Sequence, residues 1–200
     1  MYKQNVILAN GATAAIRYNP KCGKCTIASI VCYPYRGKHK HINNPARLLE
    51  RHGRIELTEE HDPDYRIAVV RDPVSRLCSA YLDRIVTQNC ENLQKRISSW
   101  SQFLAKLERL QNTSRDIAIH TLPQIRRLGA DAGVYDRVFT TQQLSREFLE
   151  YLEQIGGYKI PPIKMNATPN TLAVSVTPRD RQRIRELYAE DYSAYGEWFD

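Results

Sequence analysis

The sequence lacks any run of about eighteen apolar residues, the length a membrane-spanning helix needs, so no integral membrane segment is expected. It has no block of Lys and Arg and no aromatic RNA-binding signature, so nothing beyond net charge points to nucleic acid, and none is expected as a partner. Internal repeats and low-complexity linkers are absent. The opening MYKQNVILANGATAA has a short apolar run without the basic region and long apolar stretch of a secretory signal. Cys22 and Cys25 have CxxC spacing, but no second close pair of CxxC or HxxxH type accompanies them, and His39 and His41 stand two apart. A structural zinc site wants that second pair, so no metal is expected. Cysteine is scarce and odd in number, five in 200 residues, in a chain too large to need disulfides. Free thiols and a cytoplasmic location are expected.

What is present bounds the rest. Two hundred residues suit one domain, read here as spanning 1–200, and 42% hydrophobic content suffices for a core. A net charge of +7 suits a protein that handles anions: nucleic acid, nucleotides, acidic glycans or an anionic membrane. The sign alone does not choose among them.

Ala15 to Tyr18 reads as a short strand, and Thr26 to Tyr33 as the start of a buried helix. YRGKHKHINN reads as a basic loop. Tyr65 to Val70 (YRIAVV) is rich in β-branched residues and reads as a buried strand. It ends at Arg71-Asp72-Pro73, where Asp72 suits an N-cap and Pro73 the first helical position. Leu77, Ala80, Tyr81 and Ile85 then recur at helical spacing. Leu93, Ile97, Trp100, Leu104 and Leu107 mark a further amphipathic helix. Val134 to Phe139 reads as a strand, Thr140 and Gln143 as a capping box for the next helix, and Thr177-Pro178-Asp180 as the start of the last one. Alternating strands and helices predict an α/β domain with a mainly parallel sheet. In such sheets ligands bind at the carboxyl ends of strands.

Two segments lie at such ends. The first is NPKCGKCTIAS, Asn19 to Ser29. It is not an ATP P-loop, which would put Gly at Tyr18 and Ser or Thr at Cys25. It still has the parts of a phosphate cradle: Gly23 lets backbone N–H groups approach an anion, a helix begins there, Lys21 and Lys24 supply charge, and Thr26 a hydroxyl. Cys22 and Cys25 read equally well as small residues of a tight loop. The second is RDPVSRLCSAY, Arg71 to Tyr81, where Arg71 can grip a phosphate by two donors and Ser79 can present a hydroxyl to the same oxygens. Taken alone, this segment could equally be a helix cap with an Arg76 salt bridge.

Together the two segments resemble the sulfotransferases that use 3′-phosphoadenosine 5′-phosphosulfate (PAPS), closest to the carbohydrate branch that includes heparan 2-O- and chondroitin-type enzymes. The likeness extends to HTLPQ (His120 to Gln124), to VYDRVFTTQQLSREFLEYLEQIG, to Asn166 and Thr168, and to RIRELYAEDYSAYG near the end. It implies a three-layer P-loop-like fold, a central sheet flanked by helices, and sulfuryl transfer from PAPS to a hydroxyl of a sugar or glycoconjugate, releasing PAP. It implies that Lys21, Cys22, Gly23, Lys24, Cys25, Thr26 and Ile27 hold the 5′-phosphosulfate, with Lys21 near the bridging oxygen, and that Arg71 and Ser79 hold the 3′-phosphate. The acceptor hydroxyl needs a base, and histidine suits the task. By position between the two phosphate segments the resemblance favours His41, with His39 second; His120, in HTLPQ beyond both segments, is the third choice. Two other classes stay open: a nucleotide kinase or NTPase of related P-loop fold, and a non-catalytic module binding nucleic acid or an anionic glycan.

Overall fold

The computed structural model describes residues 3–33, 62–161 and 174–199. In chain order its elements are β1 (Lys3–Ile7), β2 (Thr13–Tyr18), α1 (Lys24–Cys32), β3 (Tyr65–Val70), α2 (Pro73–Tyr81), α3 (Trp100–Ala105), α4 (Leu107–Thr113), α5 (Arg115–Thr121), α6 (Ile125–Leu128), β4 (Arg137–Thr140), α7 (Glu147–Gln154), α8 (Pro178–Leu187) and α9 (Ala189–Tyr195). The chain divides into two compact units. One takes Met1–Val70 with Asp131–Asn166; the other takes Arg71–Ala130 with Ala167–Asp200.

The first unit holds the sheet, in the order β1-β2-β3-β4. β2–β3 and β3–β4 are parallel, whereas β1 runs antiparallel to β2. The sheet is thus mixed: two of its three pairings are parallel, as expected, and the β1 edge is antiparallel. The cause is the connection at Asn10-Gly11. Leu8 N–H donates to Ala12 O at 2.7 Å and Gly11 sits at φ +91, so the chain reverses too tightly for anything but antiparallel pairing. Asn-Gly was a legible turn signal for this reversal.

Strand alternation sends Ala14, Ile16 and Tyr18 of β2, Ile67 and Val69 of β3, and Phe139 of β4 into one core. The helices α1 and α7 cover that face with Ile27, Ile30 and Val31, and with Phe148, Leu149 and Leu152. Phe139 and Phe148 meet edge to face at 5.3 Å. On the opposite face Ala15, Ala68, Val70 and Val138 are buried as well. The architecture is mixed α/β, a four-stranded sheet flanked by helices.

The second unit is helical. Val74, Leu77 and Tyr81 of α2 pack with Trp100, Phe103, Leu107, Ile117, Ile184 and Tyr188. The single helix expected through Leu93 to Leu107 is broken. Cys90–Lys95 forms a 3-10 turn bounded and interrupted by left-handed Asn89, Glu91 and Asn92. Ser99 then restarts the chain as the N-cap of α3, its hydroxyl accepting from Gln102 N–H, and Lys106 separates α3 from α4. The apolar positions are buried as their spacing predicted, but the Ser99 cap and the break at Lys106 cut the helix between them. The last helix begins as expected, with a Thr177–Asp180 capping box and Pro178 in first position. Only half of the Thr140–Gln143 box forms: Gln143 Oε1 accepts from Thr140 N–H at 2.8 Å, and α7 starts later, at Glu147.

Candidate functional site

β2 ends at Tyr18 and the chain turns through Asn19-Pro20 into the loop before α1. Lys21 sits at φ +70 and Gly23 at φ +78, both left-handed. Glycine adopts this freely; a lysine held there stores about 1–3 kcal/mol of backbone strain. Gly23 is the N-cap of α1 and has no side chain with which to cap the first turn, and no acidic residue stands in that turn. The N–H groups of that turn point out of the helix end. A left-handed residue followed by right-handed ones forms the concave backbone arrangement that binds anions, and the nine-residue helix adds its positive end. Lys24 and Cys25 are exposed, Lys21 and Thr26 half-buried, and Cys22 and Ile27 buried. A Cβ on Gly23 would lie 2.3 Å from Leu144 Cδ1, so the loop approaches the β4–α7 connection as closely as only glycine allows.

The two CxxC cysteines differ in environment: Cys22 belongs to the core and Cys25 faces solvent. Among the described residues no group of three or more His, Cys, Asp or Glu is placed to hold a metal ion, and no helix is long and apolar enough to cross a membrane.

β2 and β3 are adjacent and parallel, with Tyr18 opposite Val69, and each is followed in the sequence by one of the two phosphate-type segments. After Val70, Asp72 caps α2 as expected: Oδ1 accepts from Ser75 N–H at 2.8 Å, and Oδ2 accepts from the Tyr192 hydroxyl at 2.9 Å. Arg71 and Ser79 are both half-buried, Ser79 on α2. Burial pushes the Cys78 thiol up to about 11, with the charges of Arg71 and Arg181 pulling the other way, so Cys78 is a neutral neighbour of this site at physiological pH.

The HTLPQ segment and the C-terminal helices close on this same turn. Arg76 Nη1 donates to Leu122 O at 2.9 Å, and Tyr188 donates its hydroxyl proton to Thr121 O. The Gln124 side chain pairs with both backbone groups of Arg71, accepting from its N–H at 3.1 Å and donating to its carbonyl at 2.9 Å. Asp191, fully buried, accepts from Gln124 N–H at 2.8 Å and Ile125 N–H at 3.0 Å. Burial raises the Asp191 pKa; those hydrogen bonds and the Arg76 charge oppose the rise. Three segments that look separate in the sequence therefore form one polar cluster, in which Gln124 and Asp191 lie in segments that carried the resemblance without being given a role of their own.

His120 lies on α5 with Nδ1 2.8 Å from the Asp116 carbonyl, a pure acceptor, so the neutral ring carries its proton on Nδ1 and its basic lone pair on Nε2. Arg84 grips the Asp116 carboxylate at 2.8 and 2.6 Å. Burial works against that charge, but the Arg84 bonds prevail and hold Asp116 below the usual carboxylate range. His39, His41, His52 and His61, with Asn166 and Thr168, lie outside the described residues. In the second unit, a cavity of about 160 Å³ has Leu93, Ile97 and Leu110 in its lining, with Arg96, Lys106 and Arg109 beside them.

The model of the sulfotransferase family matches residues 12–199. This chain belongs to the sulfotransferase family. Comparisons with curated proteins and with solved structures give no match. The family includes carbohydrate sulfotransferases, and its shared chemistry is sulfuryl transfer. The matched span takes in the Lys21 loop, the Arg71 turn, HTLPQ and the C-terminal helices of this sulfotransferase, so the segments that carried the resemblance lie inside the family's own domain.

Proposed function

We propose that this sulfotransferase is a single domain that moves the sulfuryl group of PAPS onto a hydroxyl of a sugar or glycoconjugate by in-line displacement. The observation that carries the reading is the left-handed glycine turn at the start of α1, with no acid in the first helical turn and with Lys21 and Lys24 on either side of Gly23. Its residues fit a phosphosulfate: backbone N–H groups from Gly23 to Thr26 and the Thr26 hydroxyl take the 5′-phosphate, Cys22 and Cys25 are small members of the loop, and Ile27, whose N–H donates to the Gly23 carbonyl at 2.9 Å, closes the first helical turn behind them. Lys21 stabilises the negative charge that builds on the departing phosphate. Arg71 and Ser79 take the 3′-phosphate, Arg71 as a two-donor fork. PAPS, when bound, supplies the sulfuryl group and departs as PAP. His41 accepts the proton of the acceptor hydroxyl, with His39 and then His120 as successors in that role. The acceptor class rests on the resemblance to the carbohydrate branch and on the net charge of +7, which suits an acidic glycan. Burial of both sheet faces supports the three-layer P-loop-like arrangement. A cytoplasmic location is part of the same proposal.

The NTPase alternative needs a Mg²⁺-binding hydroxyl where Cys25 stands and an acid at the next strand end, where Arg71 stands. Calorimetry with PAP and AMP tests the choice. PAP binds the wild-type protein much more tightly than AMP. Arg71→Ala and Ser79→Ala each weaken PAP, Arg71→Ala by about 1.5–3 kcal/mol, the worth of a charge-assisted pair, and leave AMP almost unchanged. His41→Ala removes transfer while PAP affinity stays near wild type. A wild-type protein that ignores the 3′-phosphate, or that turns over Mg-ATP, would overturn the reading.

A further inference from the structure

We infer that Gln124 and Asp191 are positioning residues that fix the backbone of Arg71 and thereby set the grip on a 3′-phosphate. The inference rests on the role given to Arg71 above. Val70 is the last residue of β3 that the sheet ladder pairs, opposite Thr140. At Arg71 the ladder has ended, and the Gln124 amide takes its place: it offers one acceptor to the Arg71 N–H and one donor to the Arg71 carbonyl. A glutamine can do this steadily only if its own rotamer is held. Gln124 is fully buried, and Asp191 Oδ2 lies 2.8 Å from its backbone N and 3.4 Å from its Nε2.

The amide has one workable orientation. Nε2 faces two acceptors, the Arg71 carbonyl and the Asp191 carboxylate, while Oε1 faces a donor, the Arg71 N–H. Turned over, it would set oxygen against oxygen twice and an NH₂ against an N–H. Asp191 Oδ1 in turn accepts from Ile125 N–H, so the carboxylate holds the two consecutive backbone N–H groups of Gln124 and Ile125. With its main chain pinned on both sides, Arg71 has only side-chain freedom to lose when it closes on a phosphate, which is how preorganisation raises affinity.

The isostere Gln124→Glu tests this. Protonated, the new acid can donate to the Arg71 carbonyl and accept from its N–H, as the amide does. Ionised, it has no donor and sets its charge against that carbonyl and Asp191. Calorimetry with PAP and with AMP, for wild type and variant, runs from about pH 5 to about pH 9, wide enough to titrate a carboxyl raised by burial. Taking the variant relative to wild type at each pH cancels the titration of the phosphates. The expected result is PAP affinity close to wild type at the acid end, falling at least about tenfold as the glutamate ionises, while AMP affinity follows wild type throughout; tenfold is about 1.4 kcal/mol. Gln124→Met, which buries no charge, removes both bonds and should weaken PAP by a similar factor at every pH with AMP unchanged. The inference fails if both variants keep the wild-type PAP-to-AMP ratio. It fails equally if PAP and AMP affinities fall together, the mark of a general fold defect. A wild-type protein that does not bind PAP overturns the underlying reading instead, and is seen before any variant is made.

Discussion

Replacing Lys21 by glycine is expected to raise thermal stability while lowering kcat by about two to three orders of magnitude. Both effects come from the same residue. Its φ of +70 is a conformation that a side chain with a Cβ resists, and glycine adopts it without strain. Relief of about 1–3 kcal/mol exceeds the roughly 0.4–1 kcal/mol by which glycine's freedom favours the unfolded chain. The rate loss follows from removing a charge that the proposed function sets against the departing phosphate, an effect of about 2.7–4 kcal/mol where single charge-stabilising donors are deleted. Lys21→Ala is the control. It should lose the same activity without the gain in stability, because alanine keeps the Cβ. Thermal unfolding of the two variants, with transfer from labelled PAPS, checks both halves. A glycine variant no more stable than the alanine one removes the strain argument; an active one removes Lys21 from catalysis.

That strain was invisible in the sequence, although the loop itself was not. NPKCGKCT announces a turn and a helix start through its glycine, lysines and threonine, and α1 begins at Lys24, close to the expected Thr26. The segment Tyr65 to Val70 was readable to the residue, because β-branched side chains run straight into an Asp-Pro cap. These are local signals, and they held. What failed to show was long-range. Tyr192 meets Asp72 across 120 positions, and Asp191 meets Gln124 across 67. Nothing in the neighbourhood of Asp191 separates it from Glu190, an ordinary exposed acid, until the fold buries one and leaves the other in water. The broken helix between Leu93 and Leu107 teaches the complementary lesson. The period of the apolar residues reported burial correctly, but the cap at Ser99 and the break at Lys106 decide where the helices start and stop, and periodicity does not see them.

Gly23→Ala should damage stability and nucleotide affinity together, and the pattern of loss separates the two phosphate segments. Alanine at φ +78 costs about 1–2 kcal/mol in the backbone alone. Its Cβ would also sit 2.3 Å from Leu144 Cδ1, and Leu144 is 2% exposed within the first core, so it has no solvent to move into. Overpacking of this kind adds about 1–3 kcal/mol. Combining Gly23→Ala with Leu144→Ala removes the clash but not the backbone strain. The double variant should therefore be less destabilised than the two single changes added together, with a coupling of about 0.5–3 kcal/mol readable by denaturant unfolding. Nucleotide binding gives the second discrimination. PAP and AMP share a 5′-phosphate, so distorting the Gly23 turn should weaken both by the same factor. Arg71→Ala should weaken PAP alone. If Gly23→Ala instead spared AMP while reducing PAP, the α1 turn would hold the 3′-phosphate, and the assignment of the two segments to the two ends of the nucleotide would have to be exchanged.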